Sequence, residues 1–288
     1  MSESHTLLQR CSQHRLARLI VSVAAGALLL GALAPSASAI TSAEIKKNGQ
    51  LVVGIQGDNP PWGFVDTNGV QQGFDADIAK LLGQDLGVPV KFVDLAVVNR
   101  IPALVTGKVD VVIAVMGMYP DRAKAVQFSK PYSANDVVLV APKKTPIKSF
   151  ADMKKYVIGV PRSSAQDTEV TKLAPPGTVI RRFDDDSANI QAMLSGQVQA
   201  VGANQFYPIK LNAAQPGTYE IKLKFLRQWN GICTRLGEKE LNAYINTFID
   251  KIKANGQLAV VYQKWMGFAP PKPDEFPTSV PGVPFTVQ

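Results

Sequence analysis

Between residues 51 and 203 short apolar runs alternate with helical faces, and this alternation restricts the fold more than any other feature of the chain. Leu51–Ile55 reads as a strand that Asn59-Pro60-Pro61 breaks. Asp66-Thr67-Asn68-Gly69 reads as a hairpin turn, because Asn-Gly tolerates positive φ. Phe74, Ile78, Leu81, Leu82 and Leu86 recur on one helical face, and Gly87 suits the helix end. Residues 91–95 form a strand, 99–106 a short helix, and 110–115 a continuous apolar strand of the kind covered on both faces. After residue 135 the pattern restarts. Strands are predicted over 137–141, 156–160, 178–183 and 199–203, with helices beginning near Ser164 and at Asp184-Asp185-Asp186-Ser187. Those acids suit a positive helix end, and a cap outweighs a metal site there. The whole reads as α/β with a mainly parallel sheet.

The chain closes differently. Leu241, Tyr244, Ile245, Phe248, Ile249 and Ile252 predict a long amphipathic helix, and residues 258–265 a second, shorter one beyond Gly256. From Ala269 the chain holds Pro270, Pro271, Pro273, Pro277, Pro281 and Pro284, which argues for an extended or disordered tail without helix or sheet.

The first residues belong to another class of signal. Arg10, Arg15 and Arg18 precede an uncharged apolar run, residues 19–34, and Ala37-Ser38-Ala39 follows. Positive head, short apolar middle and small-residue exit predict a secretory signal peptide over residues 1–39, cleaved after Ala39. The apolar run is short for a membrane span.

Removing that segment removes His5, His14 and Cys11, which leaves no histidine and one cysteine, Cys233. Nucleophilic catalysis by Ser or Cys with a histidine base cannot then be assembled, nor can a His/Cys zinc site. No cofactor is called for. The net charge is +8, and Lys and Arg are scattered rather than clustered, so an anion-attracting surface fits better than nucleic-acid binding.

Several motifs resemble, in order and spacing, the family-three extracellular solute-binding proteins of polar amino-acid ABC transporters. They are Pro60-Pro61-Trp62-Gly63-Phe64, Gly73-Phe74-Asp75-Ala76-Asp77-Ile78-Ala79, Asn99-Arg100-Ile101-Pro102, Gly107-Lys108-Val109-Asp110, Tyr119-Pro120-Asp121-Arg122-Ala123, Phe128-Ser129-Lys130-Pro131-Tyr132, Ser195-Gly196-Gln197-Val198 and Tyr262-Gln263-Lys264-Trp265-Met266-Gly267. The resemblance covers roughly residues 45–267. It implies a two-lobed type II periplasmic-binding-protein fold with a ligand cleft between the lobes. Lobe one is expected over 40–135 and 231–268, lobe two over 136–230, and the tail over 269–288. It also implies export to the periplasm, a monomer, a small carboxylate-bearing or amino-acid-like ligand, and transient contact with an inner-membrane ABC permease.

The resemblance implies the site residues too. Arg122 would grip the ligand's α-carboxylate, for which a planar guanidinium fork is suited. Ser163 and Ser164 would meet the same carboxylate from a helix N-terminus. Arg100 resembles the arginine that reaches a side-chain carboxylate in binders of acidic amino acids, and Trp62 an aromatic wall of the cleft. Four positions depart from the pattern. Gly117 replaces a Ser or Thr, so that its backbone N–H would serve the ligand without a hydroxyl; Asn59 replaces an aromatic residue, and Gln56 an Asp. Asn204 stands where an Asp pairs the α-ammonium, so either another carboxylate compensates, such as Asp58, or the ligand lacks an ammonium. The same scaffold carries periplasmic cyclohexadienyl dehydratases, whose chemistry needs a cleft carboxylate acting as an acid. A sensor module would need a membrane span or a fused domain.

Overall fold

The computed structural model describes residues 39–287; the signal-peptide expectation therefore lies outside the described residues except for Ala39. One sheet of eight strands runs through the molecule. In its first half β1 (Leu51–Ile55) pairs in parallel with β5 (Val90–Asp94) and β6 (Val111–Val112). In its second half β10 (Ala200–Asn204) pairs in parallel with β8 (Ile158–Pro161), and β8 with β9 (Ile180–Phe183). Two long strands, β7 (Val126–Pro142) and β11 (Tyr219–Arg235), run antiparallel to each other and join the halves. A small separate sheet holds β2 (Asp58–Asn59), β3 (Gly63–Val65) and β4 (Gln71–Gln72).

Helices cover both faces of each half, which is what the continuous apolar strands require. In the first half α1 (Ser42–Asn48), α2 (Phe74–Leu86), α8 (Lys239–Ala254) and α9 (Gln257–Met266) bury Ile45, Ile78, Leu82, Ile245, Ile249 and Tyr262 against β1. The opposite face packs α3 (Arg100–Val105), through Leu104, on Val112 and Phe128. In the second half α6 (Asp186–Leu194) and α7 (Tyr207–Ala214) cover one face with Ile190, Met193 and Leu211. On the other, α5 (Ala165–Leu173) places Val170 with Met153 and Leu139. A last single-turn helix, α4 (Pro120–Ala123), connects β6 to β7.

Three expectations need correction. The apolar run 110–115 pairs only at Val111 and Val112, because the chain then leaves the sheet: Val115 is left-handed at φ 48°, with its N–H held by Asp75 Oδ2 at 2.8 Å. The strand expected over 137–141 is part of the 17-residue β7. The proline-rich tail is neither free nor wholly extended. Pro273–Glu275 makes a 3₁₀ turn, Phe276 and Val283 are buried in the two first-half cores, and the tail carbonyls of Pro284 and Phe285 accept from Gln127 and Asn246 at 2.7 Å. Prolines lack donors but keep their carbonyls, so such a segment can dock by accepting.

No helix among the described residues is long and apolar enough to cross a membrane, and no cluster of His, Cys, Asp and Glu among them is placed to hold a metal. Cys233 is buried and free.

Candidate functional site

The two halves meet over a small, polar, partly open cavity of about 20 Å³. The first half supplies Gln56, Asn59, Val97, Arg100 and Val115. The second supplies Ser164, Ala165, Gln166, Asp186 and Asn204, and the long strands supply Asn135 and Gln228. A larger chamber of about 260 Å³ adjoins it, lined by Val97, Val98, Arg100, Ile101, Pro102, Met116, Arg122 and Ser163. Arg100 and Val97 face both spaces.

Asn-Arg-Ile-Pro starts α3, and this places Arg100 at the mouth of the inner cavity. Its Nε donates to Val97 O at 3.1 Å and its Nη1 to Ala114 O at 2.7 Å. Arg122, on α4, donates Nη1 to Gly117 O at 3.0 Å and Nη2 to Ser163 O at 2.9 Å, so it ties the first half to the second. Its guanidinium also lies 5.0 Å from the Tyr119 ring. Both arginines are buried. The arginine ion pairs among the described residues are Arg162–Asp184, Arg182–Asp167 and Arg235–Glu238; Arg100 and Arg122 form none. Burial pushes Arg122 down to about 10, and the neighbouring Arg100 charge adds to the effect. Two unpaired buried cations side by side are costly unless an anion joins them.

The balancing carboxylate inside the cavity is Asp186, which the sequence reading places only in a capping run. The backbone separates the roles: Asp185 is the N-cap of α6 and accepts from Ala188 N at 2.7 Å, while Asp186 turns inward. Asp186 accepts from Gln56 Nε2 at 2.8 Å and from the Tyr207 hydroxyl. Burial, then the nearby Asp58 charge, raises its pKa to about 6. Asp58 does not line the cavity; its carboxylate accepts from Ser187 N at 2.8 Å. The carboxylate that lines the cavity is thus that of Asp186, not that of Asp58.

Asn204 ends β10 in the cavity wall. Its Nδ2 donates to Asn59 Oδ1 at 3.0 Å and its Oδ1 accepts from Phe206 N at 2.9 Å. Asn59 in turn sits 3.5 Å from Gln56 Oε1, which makes a chain of amides across the cleft. Ser164 is the N-cap of α5, accepting from Asp167 N at 3.0 Å, and Ala165 and Gln166 bring the helix N-terminus to the cavity. Cap and cavity wall are therefore the same residue. Ser163, left-handed at φ 61°, faces the outer chamber.

Trp62 and Gly117 fall elsewhere than expected. Trp62 is fully buried in the first-half core, edge-on to Phe74 at 5.4 Å and to Phe206 at 6.0 Å, and is no part of either cavity wall. Its edge-on contacts with Phe74 and Phe206 hold it in that core. Gly117 exposes no side-chain space to the cavity, because a Cβ there would lie 2.4 Å from Gln228 Cδ. Gln228 occupies that place. The residues missed in the sequence, Asp186, Gln228, Asn135 and Gln166, carried no motif; a run of three acids before a single helix is the one signal that was present.

A model described as bacterial extracellular solute-binding proteins, family 3, matches residues 51–268. The L-cystine-binding protein TcyJ of Escherichia coli (strain K12) is 26% identical over 227 residues, covering 78% of this chain and 85% of the relative. The solved structure of a solute receptor for L-cysteine from Neisseria gonorrhoeae matches with a TM-score of 0.74 at 31% identity, over 79% of this chain and 94% of the receptor. That of an ancestral amino acid-binding protein, described as a precursor of cyclohexadienyl dehydratase, matches with a TM-score of 0.71 at 32% identity, over 78% and 98%. These are type II periplasmic-binding-protein folds, and the mixed α/β architecture of this chain matches them. Fold, motif order and a match over most of the sequence agree: the chain belongs to the bacterial extracellular solute-binding proteins, family 3.

Proposed function

We propose that this protein is exported, captures an α-amino acid in the cleft between its lobes and presents it to an ABC importer in the inner membrane. The observation that carries the reading is that Arg100 and Asp186 line one small cavity as opposite charges that do not pair with each other. A zwitterion supplies the missing partner of each. Its carboxylate belongs where Arg100, Arg122 and the α5 N-terminus converge, since guanidinium forks and free helix N–H groups both favour an anion. Its ammonium belongs at Asp186, which makes good the charge that Asn204 lacks. The inner cavity holds little more than a water as it stands, so capture requires the lobes to part and close again by bending of β7 and β11.

The test is a thermal-shift panel of L-amino acids beside the matching 2-hydroxy acids, which keep the carboxylate and lose the ammonium. Binding to the native state raises Tm by mass action. At least one amino acid is expected to raise it well above its hydroxy partner. Stronger stabilisation by hydroxy acids would overturn the zwitterion reading. Amino-terminal sequencing of the secreted protein checks cleavage after Ala39, and sedimentation checks for a monomer.

Asp186 also favours a second reading. A carboxyl with a pKa of about 6 in a small cavity can act as a general acid, as an elimination of the cyclohexadienyl dehydratase kind on this scaffold would need. Incubation with arogenate and prephenate separates the readings: a binding protein leaves both unchanged.

A further inference from the structure

Gln228 is the cavity residue whose hydrogen bonding is one-sided. It lies on β11, is 4% exposed and forms part of the inner cavity wall. Its Nε2 faces three oxygens: Val115 O at 3.4 Å, Asn135 Oδ1 at 3.1 Å and Asn230 Oδ1. Three acceptors on one side identify the nitrogen end of the amide. Oε1, on the other side, is buried and accepts no hydrogen bond. An orphaned buried carbonyl is the exception in a folded protein and calls for a cause. Gly117 explains how the amide comes to stand there: a Cβ at 117 would sit 2.5 Å from Oε1. The absence of a side chain at 117 and the free acceptor of Gln228 are two sides of one arrangement.

We propose that Gln228 is a specificity-determining residue whose Oε1 receives a hydrogen from an N–H or O–H group on the solute's side chain, so that the cleft selects amino acids with a donor-bearing side chain over apolar ones of equal size. The inference rests on the amino-acid reading above. There the arginines take the carboxylate and Asp186 takes the ammonium, and the side chain is the part left to face Gln228. An apolar side chain would seal Oε1 from water without giving it a partner. A site built around a hydrogen bond rejects a shape-matched analogue that lacks the donor for this reason.

Three near-isosteric pairs test it by titration calorimetry: L-glutamine with L-methionine, L-asparagine with L-leucine, and L-threonine with L-valine. The wild type is expected to bind the donor-bearing member of at least one pair about tenfold tighter or more. Gln228→Met should bring that ratio to within about threefold by weakening the donor-bearing member alone. Because Gln228→Met also removes bonds to Asn135 and Asn230, Gly117→Ala provides a second route: it keeps Gln228 and pushes the amide off its place, with the same collapse of the ratio expected. Circular dichroism and melting check that both variants fold. Ratios near one in all three wild-type pairs, or a ratio that survives both variants, overturn the role of Gln228 and leave the amino-acid reading standing. If none of the six binds while the thermal-shift panel finds an amino acid that does, the role of Gln228 is overturned and the amino-acid reading stands; if no amino acid binds at all, both are overturned.

Discussion

Gln56 Nε2 donates to Asp186 Oδ2 at 2.8 Å, which joins the first residue after β1 to the first turn of α6 across the cleft. Gln56 holds Asp186 without neutralising it. An aspartate at position 56 would face a second carboxylate; the amide instead supplies a donor. The negative charge of the cavity thereby sits in the second lobe, on Asp186.

The pH dependence of capture follows. Burial raises Asp186 to about 6, so it is ionised at pH 7 and mostly protonated at pH 5. Affinity for a zwitterionic amino acid is expected to fall roughly tenfold from pH 7 to pH 5. Asp186→Asn should weaken binding at pH 7 and flatten the profile. Calorimetry at four pH values on both proteins checks this; a variant with the wild-type profile would remove Asp186 from the ammonium site.

Arg122→Ala is expected to lower affinity by about 2–5 kcal/mol with the fold retained, since it deletes a buried charge and the tie from Gly117 O to Ser163 O. Arg100→Met separates two roles. Arg100 already spends two donors on Val97 O and Ala114 O, so its loss should weaken L-glutamate and L-glutamine alike. A loss confined to glutamate would restore it as reader of a side-chain carboxylate. Competition titrations with both amino acids decide.

Asp75 gives a stability prediction with a definite sign. Burial outweighs its bonds from Tyr132 and Val115 and raises it from 3.8 to about 7. The folded protein therefore holds a proton that the unfolded chain releases near pH 4. The stability from this group is full below pH 4 and is lost as pH rises through 7. In urea unfolding the wild type should lose roughly 2 kcal/mol relative to Asp75→Asn between pH 5 and pH 8. An unchanged difference between the two would show that Asp75 is ionised throughout.

Removing residues after 268 is expected to destabilise the protein by about 2–5 kcal/mol, from two buried apolar side chains, Phe276 and Val283, and the tail's docking bonds. Denaturation midpoints of full and shortened chains measure it. Equal midpoints would mean that the tail is passive.

The periodic parts of this fold were legible. The face built on Phe74, Ile78, Leu82 and Leu86 became α2, and the apolar pattern from Leu241 to Ile252 became α8. β11 was passed over because it is not a continuous apolar run. Tyr219, Ile221, Leu223 and Phe225 alternate with Glu220, Lys222 and Lys224, a period-two strand signal, although the register shift at Ile221/Leu223 leaves Ile221 exposed. The site was less legible for a physical reason. Arg100, Asn59, Gln56 and Asn204 come to one cavity from separate elements, but nothing local tells that Asp185 caps and Asp186 turns inward. Trp62 shows the converse, since an aromatic in a motif can equally be core.

The paired strands β7 and β11 have a mechanical consequence. Their ladder is continuous between the lobes, with register shifts at Ile221/Leu223, Lys224/Leu226, Asn230/Gly231 and Gly231/Cys233. Such irregularities concentrate right-handed twist in a strand pair. A two-stranded ribbon of this kind yields most readily in torsion, and Asn135, Gln228 and Asn230 ride on it. Were one lobe to rotate against the other, the same backbone that permits the rotation would carry Asn135, Gln228 and Asn230 with it, and so reshape the cavity wall.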